Sequence, residues 1–310
     1  MNLFDQTTRP NELLFYQKND KNDIRLGEVI KRDEQDFEGS EIVILGVPDD
    51  EGVQRNKGRK GAKDAPDNIR AQFYKLAASN NINSKKIFDL GNLNIKNTLE
   101  ETHDTLEEVA FQLVYENKKV IILGGGNDIS YPDCKALSKT NKNIMALNID
   151  SDLDVRPDEP RNSGTSYRML LDEAIIFGEN FYEVGVKKYF SSPKHEEFLI
   201  RNNANIISFE EAQGFGISSL LKNILSNNKS DIIFWGFDMD SVRESDAPGV
   251  SSPCPVGFSA EDALSIAAAA GKESRTKIFE ISEVNPTHYI DGRTSRLAAV
   301  MMWKFLEVLA

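Results

Sequence analysis

The chain has 310 residues, 40% hydrophobic and 28% charged, a balance that suits one large α/β domain with its core between sheet and helices. Its formal charge of -12, from 37 basic against 49 acidic residues, speaks against phosphate-backbone binding, so no nucleic acid partner is expected. There is no apolar stretch of membrane-spanning length and no basic-then-apolar leader, and Cys134 and Cys254 have neither the number nor the spacing of a disulfide framework or a zinc motif. A soluble, cytoplasmic protein without membrane association is the expectation.

Residues 1–40 are polar and weakly patterned and read as an irregular N-terminal arm ahead of a single domain over 41–310. From there β-rich runs alternate with helix-like segments. The apolar runs predict strands at Glu41 to Val47, Val120 to Leu123, Ile144 to Ile149, Phe181 to Val186, Asn205 to Phe209, Asp231 to Phe237 and Lys277 to Ile281. Helical periodicity marks Pro66 to Ala78, Leu99 to Glu116, Ile129 to Leu137, Thr165 to Asp172, Leu220 to Leu225, Ser259 to Ala270, with Ser259 as N-cap, and Thr294 to Leu309. The pattern is that of a three-layer α/β/α domain with a mostly parallel central sheet.

Two acidic sets stand where apolar runs stop. Asp150-Ser151-Asp152-Leu153-Asp154 follows Ile144 to Ile149, and Asp238-Met239-Asp240 follows Ile232 to Phe237. In extended backbone alternate side chains share a face, and in an open parallel sheet ligands collect beyond the carboxyl ends of strands. Five carboxylates brought together resist ionisation unless a cation sits among them, which points to a metal site. Separate surface acids on loops are the plainer alternative. Gly124-Gly125-Gly126-Asn127-Asp128 also follows a strand and opens a helix; its glycines permit a sharp turn that brings Asn127 near the acids. It lacks the G-x-G-x-x-G spacing and the lysine of a nucleotide loop. Glu283, after the last strand, is a candidate to face a cationic substrate group, or else a salt-bridged or capping glutamate.

These segments together resemble the arginase/agmatinase/formimidoylglutamase superfamily of metal-dependent ureohydrolases. The resemblance rests on Gly125-Gly126-Asn127, Asp150-Ser151-Asp152-Leu153-Asp154, Gly236-Phe237-Asp238-Met239-Asp240 with Ala247-Pro248-Gly249, and Glu283-Val284-Asn285-Pro286, in the family's order. The stretch Asp50 to Ala62, Ser163-Gly164-Thr165 and Asp291-Gly292-Arg293-Thr294 look like the formimidoylglutamase branch. The resemblance implies hydrolysis of N-formimidoyl-L-glutamate to glutamate and formamide, a small-molecule amidine substrate, two manganese ions, and assembly as a trimer or hexamer.

It also implies Asp150 and Asp238 as bridging ligands, Asp154 and Asp240 as single-metal ligands, and Asn127 and Asp152 as altered ligands where the family has histidine. His103, His195 and His288 lie outside the matching motifs. Glu283 is expected to hold the amidinium, Ser163 to hydrogen-bond substrate or water, and one or more of Arg55, Asn56 and Arg59 to fix the substrate's carboxylates. An all-oxygen ligand set favours Mn, Mg or Ca over Zn, and the extra charge of Asp152 makes bound water less acidic. The alternatives are a catalytically silent, metal-free relative with a binding or partner-subunit role, and an agmatinase- or arginase-like guanidine hydrolase. Arginases place a proton-shuttling histidine where this chain has Tyr167, which disfavours arginase activity. Cys254 is read as structural.

Overall fold

A computed structural model describes residues 1–140, 142–288 and 291–310. Nine strands form one sheet: β1 (Thr7–Thr8), β2 (Ile42–Gly46), β3 (Ile87–Leu93), β4 (Lys119–Leu123), β5 (Ile144–Ile149), β6 (Phe181–Val186), β7 (Asn205–Ser208), β8 (Ile232–Asp238) and β9 (Thr276–Ser282). Their spatial order is β1-β3-β2-β4-β9-β8-β5-β6-β7, parallel throughout except for the short β1, which pairs antiparallel with β3.

The central strands are buried on both faces, which is why they read as unbroken apolar runs instead of alternating ones. One face carries Ile121, Met145, Leu147, Trp235, Phe237 and Phe279 against the helices Ala65–Phe73, Ile217–Asn227, Ala260–Lys272 and Arg293–Glu307. The other carries Val120, Ile122, Ala146, Phe234 and Ile278 against Leu99–Tyr115, Ser130–Ser138 and Ser166–Asp172. Helices on both faces complete three layers. No helix among the described residues is long and apolar enough to cross a membrane.

Boundaries moved for local reasons. Phe209, expected to end a strand, begins the helix Phe209–Phe215, because Ser208 and Glu211 close a reciprocal capping box there. The helix expected to run to Ala78 ends at Phe73, and the chain after it turns back to bond the 24–27 segment. Helix Pro193–Arg201 and strands β1 and β3 were not anticipated. β3 hides because Asp89 and Gly91 interrupt its apolar run. Asp89 is fully buried and satisfied by Arg70, whose Nε and Nη2 donate to its two oxygens at 2.8 and 2.9 Å, and by the Tyr74 hydroxyl. Within residues 1–40, β1 covers the β3 edge, and Phe15 stacks on Tyr74 at 4.2 Å between ring centroids.

The Arg70–Asp89 pair makes a stability prediction. Removing one partner of a buried, bidentate pair strands the other charge, so Arg70→Met is expected to destabilise the fold by about 3–5 kcal/mol. Chemical denaturation of the two proteins measures it, and a loss below about 1 kcal/mol would mean that Asp89 is held by Tyr74 and backbone donors alone.

Candidate metal centre

The four function-bearing segments leave the carboxyl ends of four neighbouring strands. In space these run β4-β9-β8-β5, delivering Asn127, Glu283, the Asp238–Asp240 pair and the Asp150–Asp154 set. Register brings them level: Ile149 lies opposite Phe237, and Asp238 opposite Ser282. Oxygens of Asp150, Asp238 and Asp240 lie within 4.8 Å of one another. The Gly124–Gly126 turn lets Asn127 join them. A Cβ at Gly125 would stand 1.7 Å from the Asp49 carbonyl oxygen, so no side chain fits at that turn.

Together these residues line a cavity of about 290 Å³, with Asn127, Asp150, Asp152, Asp154, Asp238, Asp240 and Glu283 at its floor and Asn56, Lys57, Arg59, Arg156, Ser163, Ser251 and Ser252 around them. The Asn127 amide group donates to Asp150 Oδ2 at 3.3 Å and to Asp154 Oδ2, while its carbonyl oxygen accepts from Ser130 Oγ at 3.1 Å and Ser282 Oγ at 2.8 Å. The Asn127 backbone N–H donates to Glu283 Oε1 at 3.0 Å. Asp154 and Glu283 hold φ values of 45° and 62°, a region that non-glycine residues occupy at a cost.

Burial raises every acid of the floor, and most of them raise one another. Asp240 is pushed up to about 7, first by burial and then by Asp152 beside it. Asp150, Asp154, Asp238 and Glu283 all stand well above the carboxylate range, first from burial and then from neighbouring acids such as Asp238 on Asp150 and Asp240 on Asp238. Asp152 differs: burial lifts it, but Arg156, Lys187 and His195 oppose the rise. Asp240 Oδ1 and Glu283 Oε2 are buried without a hydrogen-bond partner among the described residues. Oxygen-only donors, clustered and partly orphaned, fit a hard divalent cation.

Of the residues expected to bind substrate, Asn56 and Arg59 line the cavity and Arg55 does not. Arg55 is committed elsewhere, to Glu100 at 2.6 and 3.2 Å, to Glu51 at 3.1 Å and to the Arg161 carbonyl at 3.2 Å. The Arg59 guanidinium also has partners, the carbonyls of Ser251 at 2.8 Å and of Val250. Asn56 Nδ2 donates to Ser163 Oγ at 3.0 Å. Tyr167 is fully buried, stacked on Phe181, and outside the cavity lining. Cys254 sits beside the Tyr189 hydroxyl at 3.8 Å, also outside that lining.

Sequence reasoning passed over Arg156 and Lys187, gave Lys57 no role of its own and set His103 outside the matching motifs. Arg156 follows Asp154 by two positions, the spacing that kept the acids together, and it lies over Gly164, where a Cβ would stand 2.8 Å from its Cδ. Lys57 and Arg156 are the cavity cations whose side chains make no hydrogen bond or ion pair among the described residues. His103 Nε2 meets Asp128 Oδ2 at 2.8 Å directly behind Asn127, a link that no sequence spacing signals.

Fold and site together define a ureohydrolase-type metal centre. Residues 40–307 match the Arginase family, and the chain belongs to it. The formimidoylglutamase of Staphylococcus haemolyticus is 30% identical over 272 residues, spanning 86% of this chain and 85% of the relative. The manganese-bound formiminoglutamase of Trypanosoma cruzi superposes with a TM-score of 0.85 at 31% identity, covering 92% of this chain and 97% of the other. The formimidoylglutamase of Bacillus subtilis superposes with a TM-score of 0.87 at 28% identity, covering 93% of each chain. Within the family, the similarity is to the formimidoylglutamase branch.

The raised acids set a pH dependence for metal-free protein. Each binds its proton more tightly folded than unfolded, where carboxyls titrate near about 4, so its contribution is present at low pH and lost as pH rises through the folded value. With Asp240 near 7 and Glu280 pushed by burial to about 8, metal-free protein is expected to lose stability between pH 5 and pH 8. Adding Mn²⁺ at pH 8 is expected to restore it. Thermal melts across that range, with and without chelator, check both; a flat or rising metal-free profile contradicts the assigned protonation.

Proposed function

We propose that this chain hydrolyses N-formimidoyl-L-glutamate to glutamate and formamide, with two manganese ions held by Asp150, Asp152, Asp154, Asp238 and Asp240 and, once its side-chain amide turns its oxygen from Ser130 and Ser282 toward these acids, by Asn127. The observation that carries the reading is the polarity of the cavity. Buried Asp150, Asp238, Asp240 and Glu283 and half-buried Asp152 and Asp154 form its floor, and Lys57 and Arg156, whose side chains make no hydrogen bond or ion pair among the described residues, stand around them. A ligand matching that field has a cationic head and an anionic tail, which describes a formimidoyl group on a dicarboxylate. Agmatine, cationic at both ends, would meet like charge at Lys57 and Arg156. The similarity to formimidoylglutamases supports the same substrate.

The metal pair, when bound, supplies Lewis acidity for attack of water on the amidine carbon. The protein's own groups do the positioning. Glu283 Oε2, buried and unpaired, accepts an N–H from the amidinium, while Glu283 Oε1 stays tied to the Asn127 N–H and fixes the carboxylate plane. Ser163 Oγ already accepts from Asn56, which leaves its hydroxyl proton for a substrate oxygen. Arg156 presents a planar fork to a substrate carboxylate.

The test is formamide release from manganese-loaded protein, with agmatine and L-arginine as comparison substrates. Arg156→Ala is expected to raise KM for N-formimidoyl-L-glutamate by roughly 10- to 100-fold with a smaller effect on kcat, the size of one charge-assisted contact. Less than about a tenth of a metal per chain after manganese loading, or faster turnover of agmatine, would overturn the reading.

A further inference from the structure

Asn127 is pinned through its backbone, so any adjustment at this position belongs to its side chain. The N–H donates to Glu283 Oε1 at 3.0 Å, and the carbonyl oxygen accepts from Ser166 Oγ at 3.0 Å. The side-chain amide uses every hydrogen-bonding direction it has: its N–H groups go to Asp150 and Asp154, and its oxygen accepts from Ser130 Oγ and Ser282 Oγ. In that orientation the oxygen that would serve a metal points away from the acids. Turned round in a metal-free site, it would face the oxygens of Asp150 and Asp154 directly, so the turned form needs a cation between them.

The two serines behind Asn127 are equipped for both orientations. A hydroxyl has one proton to give and lone pairs with which to accept. Ser130 Oγ stands within reach of two acceptors, Asn127 Oδ1 at 3.1 Å and Glu280 Oε1 at 2.7 Å, and its single proton serves one of them at a time. Ser282 Oγ lies likewise between Asn127 Oδ1 at 2.8 Å and the Phe237 carbonyl at 3.5 Å. When the amide turns, its N–H groups face serine oxygens, and each serine swings its O–H to its second acceptor. Ser130, Ser282 and Glu280 are all fully buried, where a hydroxyl without that alternative would leave a polar group stranded. Glu280 and Ser282 are two apart on β9, which aims both at the turn carrying Asn127 and Ser130.

We propose that Ser130 and Glu280 are positioning residues for the metal centre: Ser130 exchanges donation to Asn127 for acceptance from it, and Glu280 is the acceptor that frees Ser130 to do so. Ser282 makes the same exchange against the Phe237 carbonyl. The inference rests on the reading above that Asn127 is a ligand, and it adds residues that lie outside the cavity lining. Bare protein keeps amide protons toward the acids, loaded protein keeps the amide oxygen there, and the backbone stays where it is in both.

Manganese affinity, measured by competition with a chelator of known strength, tests this without turnover. Glu280→Met removes the second acceptor of Ser130 and keeps the side-chain volume. It is expected to weaken manganese binding by roughly 5- to 100-fold, the size of one buried polar group left unpaired. The Asn127→Asp background is the control, because a carboxylate has an oxygen on either side, and Ser130 donates to it with or without metal. There Glu280→Met is expected to cost less than in the native background by at least about threefold. A smaller difference would overturn the proposal, since lost charge or disturbed packing weakens both backgrounds alike. In a Ser130→Ala background Glu280→Met is expected to add no more than about twofold, and the full loss there would mean that Glu280 does not act through Ser130. Glu280→Gln keeps an acceptor oxygen without the acid and is expected to bind manganese within about threefold of the native protein; a loss as large as that of Glu280→Met would overturn the assignment. If Glu280→Met does not fold, Glu280→Leu carries the same expectation. Binding that follows the cycle in a protein that releases no formamide would sink the hydrolase reading alone. An additive cycle in an active enzyme would sink the roles of Ser130 and Glu280 alone, and a native protein that takes up no manganese would sink both.

Discussion

Mutual repulsion among Asp150, Asp152, Asp154, Asp238, Asp240 and Glu283 is the constraint to which the rest of the structure answers. Like charges in a water-poor floor oppose folding, and the obvious relief would be for the strands carrying them to move apart. They are not free to do so. β5, β8 and β9 are covered on both faces by apolar side chains, and separating them would break ladder hydrogen bonds as well as core contacts. The hydrophobic layers therefore hold in place an arrangement that electrostatics alone would disperse. What remains is to neutralise it, by protons in the bare protein and by divalent cations in the loaded one.

The surroundings of the floor follow the same logic. Asn127 turns its amide protons toward Asp150 and Asp154, placing partial positive charge where the acids are densest. Lys187 approaches from behind, and Arg156 and Lys57 from the open side. Arg55 and Arg59, which look equally basic in sequence, already have anionic or carbonyl partners, Arg55 outside the cavity lining and Arg59 within its wall. The distribution is graded from negative at depth to positive near the entrance, the field that the cationic head and anionic tail of the proposed substrate would match.

Much of this was legible in the sequence because it sits at strand ends. Unbroken apolar runs such as Ile144 to Ile149 gave the strands almost residue for residue, and the acids that stop them mark the carboxyl edge. β3 was hidden because its buried Asp89 is satisfied chiefly by Arg70 and Tyr74, 19 and 15 positions away, a contact with no local signature. The same reason hid Lys187 and His103: each meets its site through tertiary packing. Arg55 misled in the opposite direction, since its partner Glu100 lies 45 positions away, and charge pattern alone does not distinguish a committed guanidinium from an available one. Arg156 was within reach of the alternation rule that grouped the aspartates, and extending that rule by one more step would have found it.

The order of strands in space differs from their order along the chain, and this bears on how the protein is made. β9, last in sequence, lies between β4 and β8 in the middle of the sheet. Until it inserts, Asn127 has no Glu283 to bond, 156 positions further on, and the halves of the sheet have no shared edge. A nascent chain therefore emerges with its aspartates in place along β5 and β8 but without a closed pocket. Completion of the candidate metal site therefore waits on β9, the strand that joins the two halves.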